Sequence, residues 1–495
     1  MRSIVTLCLL AFPLAAAAAG DALTIYSSAQ PGAIRPEQYR DGGGGAVPGY
    51  AVVRHLRELE LVPGQNTVRF SDVAALIDPT TVSFESLTDP KGTRVIEQNF
   101  QFDLVNTQKL LEKYIDRTIS VDQVRGSGVE TFRGTLLSTA GGYVLRREDG
   151  SVQLLSGSVG VRLPELPGGL ITRPTLVWDV VAARGGRQKT RVSYQTGGIT
   201  WWADYNLAYS EGANANACKL DVGAWVSILN RSGASYDEAK LKLVAGDVQR
   251  AQPPGYAREA LAAAGPMLAN KVAGFEEKAF FEYHLYTLGR PTTLPDRSTK
   301  QIELFPVARG VPCEKKLVYY GLAPGWRGFG PSPITDRNYG VQTNKKVDVY
   351  LAFENAKRNN MGMPLPAGRV RVSKADDDGT LEFIGEDAID HTPKDERVLI
   401  KLGSAFDVVG ERKQLAFRVD TSRRTMSEQI EVRLRNHKDQ PVTVEVKENL
   451  YRWVNWQITQ KTHDYRKEDA RTVVFPLRVP ANGEQVLRYT VDYSW

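Results

Sequence analysis

The chain has 495 residues, 42% of them hydrophobic, with 63 Lys and Arg against 57 Asp and Glu and a formal net charge of +6. That composition supports a packed core and excludes wholesale disorder. Three cysteines and five histidines exclude a Cys/His metal scaffold and a disulfide-dense miniprotein, and charge this dilute excludes the concentrated basic face of a nucleic-acid binder.

In chain order, the first element is a leader. Arg2 precedes an apolar run over residues 4–14, and the alanines at 15–19 offer a cleavage site ahead of Gly20. This is the three-part pattern of a secretory signal peptide, so residues 1–19 are expected to be removed. The run is shorter than the ~20 apolar residues that a membrane anchor needs, and no later stretch reads as a transmembrane helix. The expected location is therefore extracytoplasmic, periplasmic or secreted.

Residues 20–165 read as a β-rich region. Asp103 is placed to cap a helix whose apolar side is Leu104, Leu111, Tyr114 and Ile115, because a short polar side chain before an apolar-periodic run satisfies free backbone N–H groups. After it come short strand-like runs at 118–123, 134–138, 142–147 and 151–155 with the tight turn Asp149-Gly150, which predict a small barrel. Pro164, Pro167, Gly168 and Gly169 mark a boundary.

Residues 166–340 continue the strand pattern. Leu220, Val222, Ala224, Val226 and Ile228 alternate along one face, and Leu241, Leu243 and Ala245 start another strand. An insertion with a short helical, alanine-rich stretch is expected at 252–270. Residues 341–495 read as a C-terminal β-sandwich. Val370 and Val372 face Leu381 and Phe383 across the turn Asp376-Asp377-Asp378-Gly379. Ile430, Val432 and Leu434 followed by Val442, Val444 and Val446 predict a second hairpin. The end of the chain alternates Leu487, Tyr489, Val491, Tyr493 and Trp495. That resembles the closing strand of an outer-membrane barrel, but prolines and short strands upstream favour the last strand of a sandwich.

Chemistry is sparse. No G-x-S-x-G elbow occurs, and none of His55, His284, His391, His437 and His463 has metal-gripping spacing. Consecutive aspartates at 376–378 point in different directions, which suits a turn and not a calcium loop. No catalytic residue, cofactor or metal site is assigned. Once the leader is gone, Cys218 and Cys313 are the only cysteines, and in an oxidising compartment they form a candidate disulfide. Trp201, Trp202, Tyr451, Trp453 and Trp456 form a candidate aromatic binding surface, since rings standing off a sheet can stack on sugars or partner side chains. Burial in a core is the competing account of the same rings.

Several blocks carry a resemblance. They are Tyr194-Gln195-Thr196-Gly197-Gly198-Ile199-Thr200-Trp201-Trp202-Ala203-Asp204-Tyr205, Leu241-Lys242-Leu243-Val244-Ala245-Gly246-Asp247-Val248, and Met363-Pro364-Leu365-Pro366-Ala367-Gly368 with Val370-Arg371-Val372. Further blocks are Gly385-Glu386-Asp387-Ala388-Ile389-Asp390-His391-Thr392-Pro393, Gly403-Ser404-Ala405-Phe406-Asp407-Val408 and Val491-Asp492-Tyr493-Ser494-Trp495. In this order they resemble the bacterial domain of unknown function 4139 family, related to proteins called mucoidy inhibitor A. The resemblance implies no activity and no catalytic or binding residue, only an association with surface polysaccharide. Longer members carry a coiled-coil insertion, of which 252–270 is the candidate remnant here.

The sequence is thus read as mainly β, with β-sandwich-like units and an N-terminal β-rich region containing a small barrel. The function expected is non-enzymatic binding or scaffolding in the cell envelope, with an envelope polysaccharide or another envelope protein as partner and no nucleic acid. The alternatives are a hydrolase of envelope glycans and an outer-membrane-associated β protein.

Overall fold

The computed structural model describes residues 20–26, 32, 34, 47–71, 73–125, 127–165, 167–168, 170–246, 275–280, 283–322, 332–340 and 344–495. The leader at 1–19 and the insertion at 252–270 lie outside these residues. Strand makes up 66% of the described residues and helix 2%, so the mainly β, sandwich-like reading holds. Among the described residues the strands form sheets of eight, three, five and thirteen.

The eight-stranded sheet is built around a strand from the start of the described chain. Ala22–Tyr26 lies between Tyr236–Ala245, to which it is parallel, and Tyr50–Leu61, to which it is antiparallel. Leu23 and Ile25 are buried within it. The three-stranded sheet, with Thr175–Ala182 in the middle, supplies Phe70, Leu176, Trp178 and Val180 to the same core as Val53, Val192 and Tyr194. The Trp178 ring lies 5.4 Å from both Phe70 and Phe84.

The five-stranded sheet has the order Ser158–Arg162, Thr118–Arg125, Gly128–Ser138, Tyr143–Arg146, Val152–Leu155. Among the described residues no ladder joins its two end strands, so the expected small barrel is an open sheet. Leu111 and Tyr114 pack onto Val121, Phe132, Leu136 and Leu145 and cover its apolar side. The helix that delivers them, Thr107–Lys113, starts later than its pattern suggested. Asn106 is the cap, its side chain accepting from the Lys109 N–H at 2.9 Å, and Asp103 instead binds the Lys109 ammonium.

The thirteen-stranded sheet runs through two cores. Ser298–Tyr320 contributes Ile302, Leu304 and Val311 to the first core and Leu317 and Tyr319 to the second. Arg397–Asp420 does the same, with Val398 and Ile400 in the first and Val408 in the second. The cores therefore do not divide at 340/341, since Leu351, Phe353, Val398 and Ile400 are buried with Leu23 and Trp201. The Tyr319 ring reaches over Gly410 of the other long strand, where a Cβ would strike it, so only glycine fits there.

The hairpin at Val370 and Phe383 is present, with Gly368–Ala375 paired to Leu381–Ile389 and Gly379 in the left-handed region at φ 86°. The second hairpin is not. Thr425–Asn436 pairs with Arg397–Asp420 and Gly483–Ser494. Val442–Asn449 pairs instead with Thr472–Val479 and the end of Ser298–Tyr320. The connection at 437–441 crosses between layers, so the two apolar faces meet across the core. Asn436 Nδ2 fixes the crossing by donating to the carbonyls of Gln440 and Pro480, each at 2.9 Å.

Candidate functional site

Cys218 and Cys313 are direct register partners on antiparallel strands, 4.8 Å apart at Cα, and their sulfurs are bonded. The aromatic residues singled out in the sequence do not form one surface. Trp201 and Tyr451 are buried in the molecule, and Trp202 is buried on the other side of its strand. Alternation along Ile199–Glu211 forces neighbouring rings to opposite faces. Trp201 therefore packs against Tyr286, while the Trp202 indole N–H donates to Asp204 at 2.7 Å. Asp204 also accepts from Ser227 at 3.0 Å and lies 3.5 Å and 3.6 Å from the guanidinia of Arg369 and Arg371. Trp453 and Trp456 are half-buried; the Trp456 N–H is taken by the Ala470 carbonyl, and Lys467 sits 4.3 Å over its ring. An exposed tryptophan that the sequence reading passed over is Trp225, 39% accessible. Its signal was present, because it falls out of phase with the buried series Leu220 to Ile228.

Most of the titratable groups in the interior serve the fold. His55 lies between Asp21 at 2.8 Å and the Tyr194 hydroxyl at 3.0 Å, beneath the first strand. Arg412 and Glu448 pair at 2.9 Å with both side chains buried, and the Tyr489 hydroxyl donates to Glu448 at 2.7 Å. Arg452 pairs with Glu428 and donates to the carbonyls of Ile334, Asp336 and Tyr339. Such pairs satisfy one another where water is absent, and they hold the 332–340 segment onto the C-terminal core. Among the described residues no group of three or more His, Cys, Asp or Glu is placed to hold a metal, and no helix is long and apolar enough to cross a membrane.

Two clefts remain. The larger, about 480 Å³, lies between Ile77–Ser86 and Thr93–Gln101, the end strands of two sheets. Its Gln98 side chain is occupied internally, accepting from Trp178 and donating to the Pro79 carbonyl. Pro79 and a bulge between Val95 and Glu97 blunt these edges against pairing. The smaller, about 200 Å³, is a groove on the outer face of the thirteen-stranded sheet.

The groove is built by alternation. Lys316, Val318 and Tyr320 share one face of their strand, and Lys316 is opposite Tyr350. The Tyr320 and Tyr350 hydroxyls are 3.4 Å apart. Burial, and then the Tyr350 hydroxyl, pushes the Tyr320 phenol up, so it stays a neutral donor and acceptor. Leu399, 51% accessible, adds an apolar flank. The surrounding charges are paired: Lys316 and Arg466 on Glu445 at 3.0 and 3.4 Å, Lys447 on Glu468 at 2.8 Å, and Lys401 on Asp348 at 2.6 Å. Burial opposes ionisation of Glu445, but its hydrogen bond from Lys316 and the charges of Lys316, Arg466 and Lys447 outweigh it and hold the carboxyl below its ordinary range. The lining holds Lys316, Arg397, Lys447 and Arg466 against Glu445 and Glu468, so the groove offers ring faces together with fixed donors and acceptors and a small positive excess.

No family model, no curated protein and no solved structure matches this chain.

Proposed function

We propose that this is an exported, non-enzymatic protein of the cell envelope that binds a hydroxyl-rich polymer, an envelope polysaccharide, along the Tyr320–Tyr350 groove. The observation that carries the reading is two tyrosines with touching hydroxyls set among paired lysines, arginines and carboxylates. Sugar rings present apolar faces that stack on aromatic rings, and hydroxyls that need donors and acceptors in fixed directions. The two tyrosine rings supply the faces, and the paired ions supply donors and acceptors in fixed places. Glu445, held ionised by its cationic neighbours, suits accepting a hydroxyl hydrogen bond better than donating a proton to a leaving group. Export is supported by the leader pattern at 1–19 and by the Cys218–Cys313 bond, a linkage that persists in oxidising compartments.

The test is retention of purified protein on exopolysaccharide and on peptidoglycan, with product release followed in the same samples. Binding without release of fragments, weakened in Y350A and K316M, supports the proposal. Accumulation of new reducing ends would replace it with the glycan hydrolase, and equal retention of wild type and Y350A would remove the groove from the account.

A further inference from the structure

The charges around the tyrosine groove do not match one to one. Lys447 has Glu468 at 2.8 Å, Lys401 has Asp348 at 2.6 Å, and Arg397 is paired with Glu314. Glu445 alone serves two cations, and both address the same oxygen: Lys316 Nζ stands 3.0 Å and Arg466 Nη2 3.4 Å from its Oε1. Glu314 reaches Lys316 only at 3.9 Å, and it is already the partner of Arg397. One positive charge is therefore left over, and it lies at Glu445.

Of the two cations there, Arg466 is the looser. Its side chain is 53% accessible against 18% for Lys316, and its contact is the longer. Among the described residues its guanidinium makes no other hydrogen bond or ion pair. One nitrogen is engaged and the rest of the planar fork is free, the shape that receives a carboxylate through two parallel bonds.

The strand register places this charge beside the rings. Val318 is opposite Asp348 on one side and Glu445 on the other, while Lys316 is opposite Tyr350 and Tyr320 is beside Lys447. Adjacent strands are about 4.8 Å apart, so the tyrosines form one side of the groove and Glu445 with Arg466 the other, both lining the same cleft. A sugar ring is about as wide as that spacing. Stacked on Tyr320 and Tyr350, it would hold out an exocyclic group toward Arg466. Glu445 is itself kept ionised by Lys316, Arg466 and Lys447 against the effect of burial, so it consumes one of the two positive charges and leaves the other for the ligand.

We propose that the polymer bound in the groove is an acidic polysaccharide whose sugars carry carboxylate groups, and that Arg466 receives the carboxylate. This rests on the reading of the groove as a glycan site and adds the charge of the glycan. The rings select a sugar, and the unmatched cation selects an acidic one over a neutral one.

Binding of the full chain to a galacturonic acid oligomer should be compared with binding to the neutral oligomer obtained by reducing its carboxyl groups, at one fixed ionic strength. The acidic oligomer should bind about tenfold tighter, which is what one charge-assisted hydrogen bond supplies, and added salt should erode the difference. R466Q should remove the preference and leave the neutral oligomer bound as before. E445Q, which releases the second cation and keeps an acceptor, should increase the preference. E130Q, the same change of charge on the five-stranded sheet, where Glu130 is 52% accessible, should not alter it. Equal binding of the two oligomers, both weakened in Y350A, would overturn the acidic preference and leave the glycan groove standing. A preference undiminished in R466Q would overturn the role of Arg466, and binding of neither oligomer would remove the groove and the proposal together.

Discussion

Arg412 and Glu448 face each other at 2.9 Å with 2% and 1% of their side chains accessible, inside the C-terminal core. A charge pair so placed is worth little against a hydrophobic pair, but breaking it leaves one charge buried alone. R412M should therefore destabilise the protein by about 3–5 kcal/mol. R412M/E448Q, which removes both charges and keeps an acceptor for Tyr489, should be more stable than R412M alone. Urea unfolding of the three proteins checks the order; a double variant no better than R412M would mean that charge burial is not the cause.

The bond between Cys218 and Cys313 closes a separation of 95 residues. Unreduced, denatured protein should take up no thiol label. C218S/C313S should lose about 2–5 kcal/mol, by release of constraint on the unfolded chain. Two labelled thiols per chain in protein recovered from an oxidising compartment would contradict the pairing.

Asp21 anchors the first strand through His55 and Arg57. Burial alone would raise its pKa, but the hydrogen bonds and charges of those two partners lower it below the ordinary 3.8. A depressed carboxyl contributes stability that is present above its unfolded pKa and lost as the pH falls through the folded one. Wild type should therefore lose stability below about pH 4 more steeply than D21N, measured as unfolding midpoint against pH. Parallel profiles would show that Asp21 is not the titrating group.

The last strand, Gly483–Ser494, lies between Thr425–Asn436 and Trp456–Lys461. Its aromatic side is the inner one: Tyr489 and Tyr493 are buried, and Arg488, Thr490 and Asp492 face away. Removing residues 493–495 should cost about 3–5 kcal/mol, as for deletion of a large buried ring. A truncated protein with an unchanged melting temperature would show that the ring is not part of the core.

Phe406 and Phe475 make a matched pair for surface and core. Phe406 is 94% accessible, whereas Phe475 is fully buried against Tyr465 and Tyr489. F406S should change stability by no more than about 0.5 kcal/mol, while F475A should cost about 3–5 kcal/mol. A destabilised F406S would reveal a contact that Phe406 makes in solution.

Alternation in the sequence determined the strands themselves. Leu220 to Ile228, Ile430 to Leu434, Val442 to Val446 and Leu487 to Tyr493 are strands with the buried faces their patterns predict, because the period of two is a local property of the extended backbone. Cys218 and Cys313 could be singled out by counting. Tertiary structure alone decided which strand pairs with which. Residues 22–26 sit beside 240–244, and the segment 437–441 is a crossing between layers where the sequence reads as a hairpin loop. Backbone hydrogen bonds carry no side-chain signature, so a pattern fixes a strand's face and leaves its neighbour open. The sites divide in the same way. Trp202 is indistinguishable in sequence from a binding residue, and it is buried because Ile34, Val47 and Leu229 pack on its ring while Asp204 takes its N–H. Tyr320 meets Tyr350 only because the two strands that carry them are packed side by side.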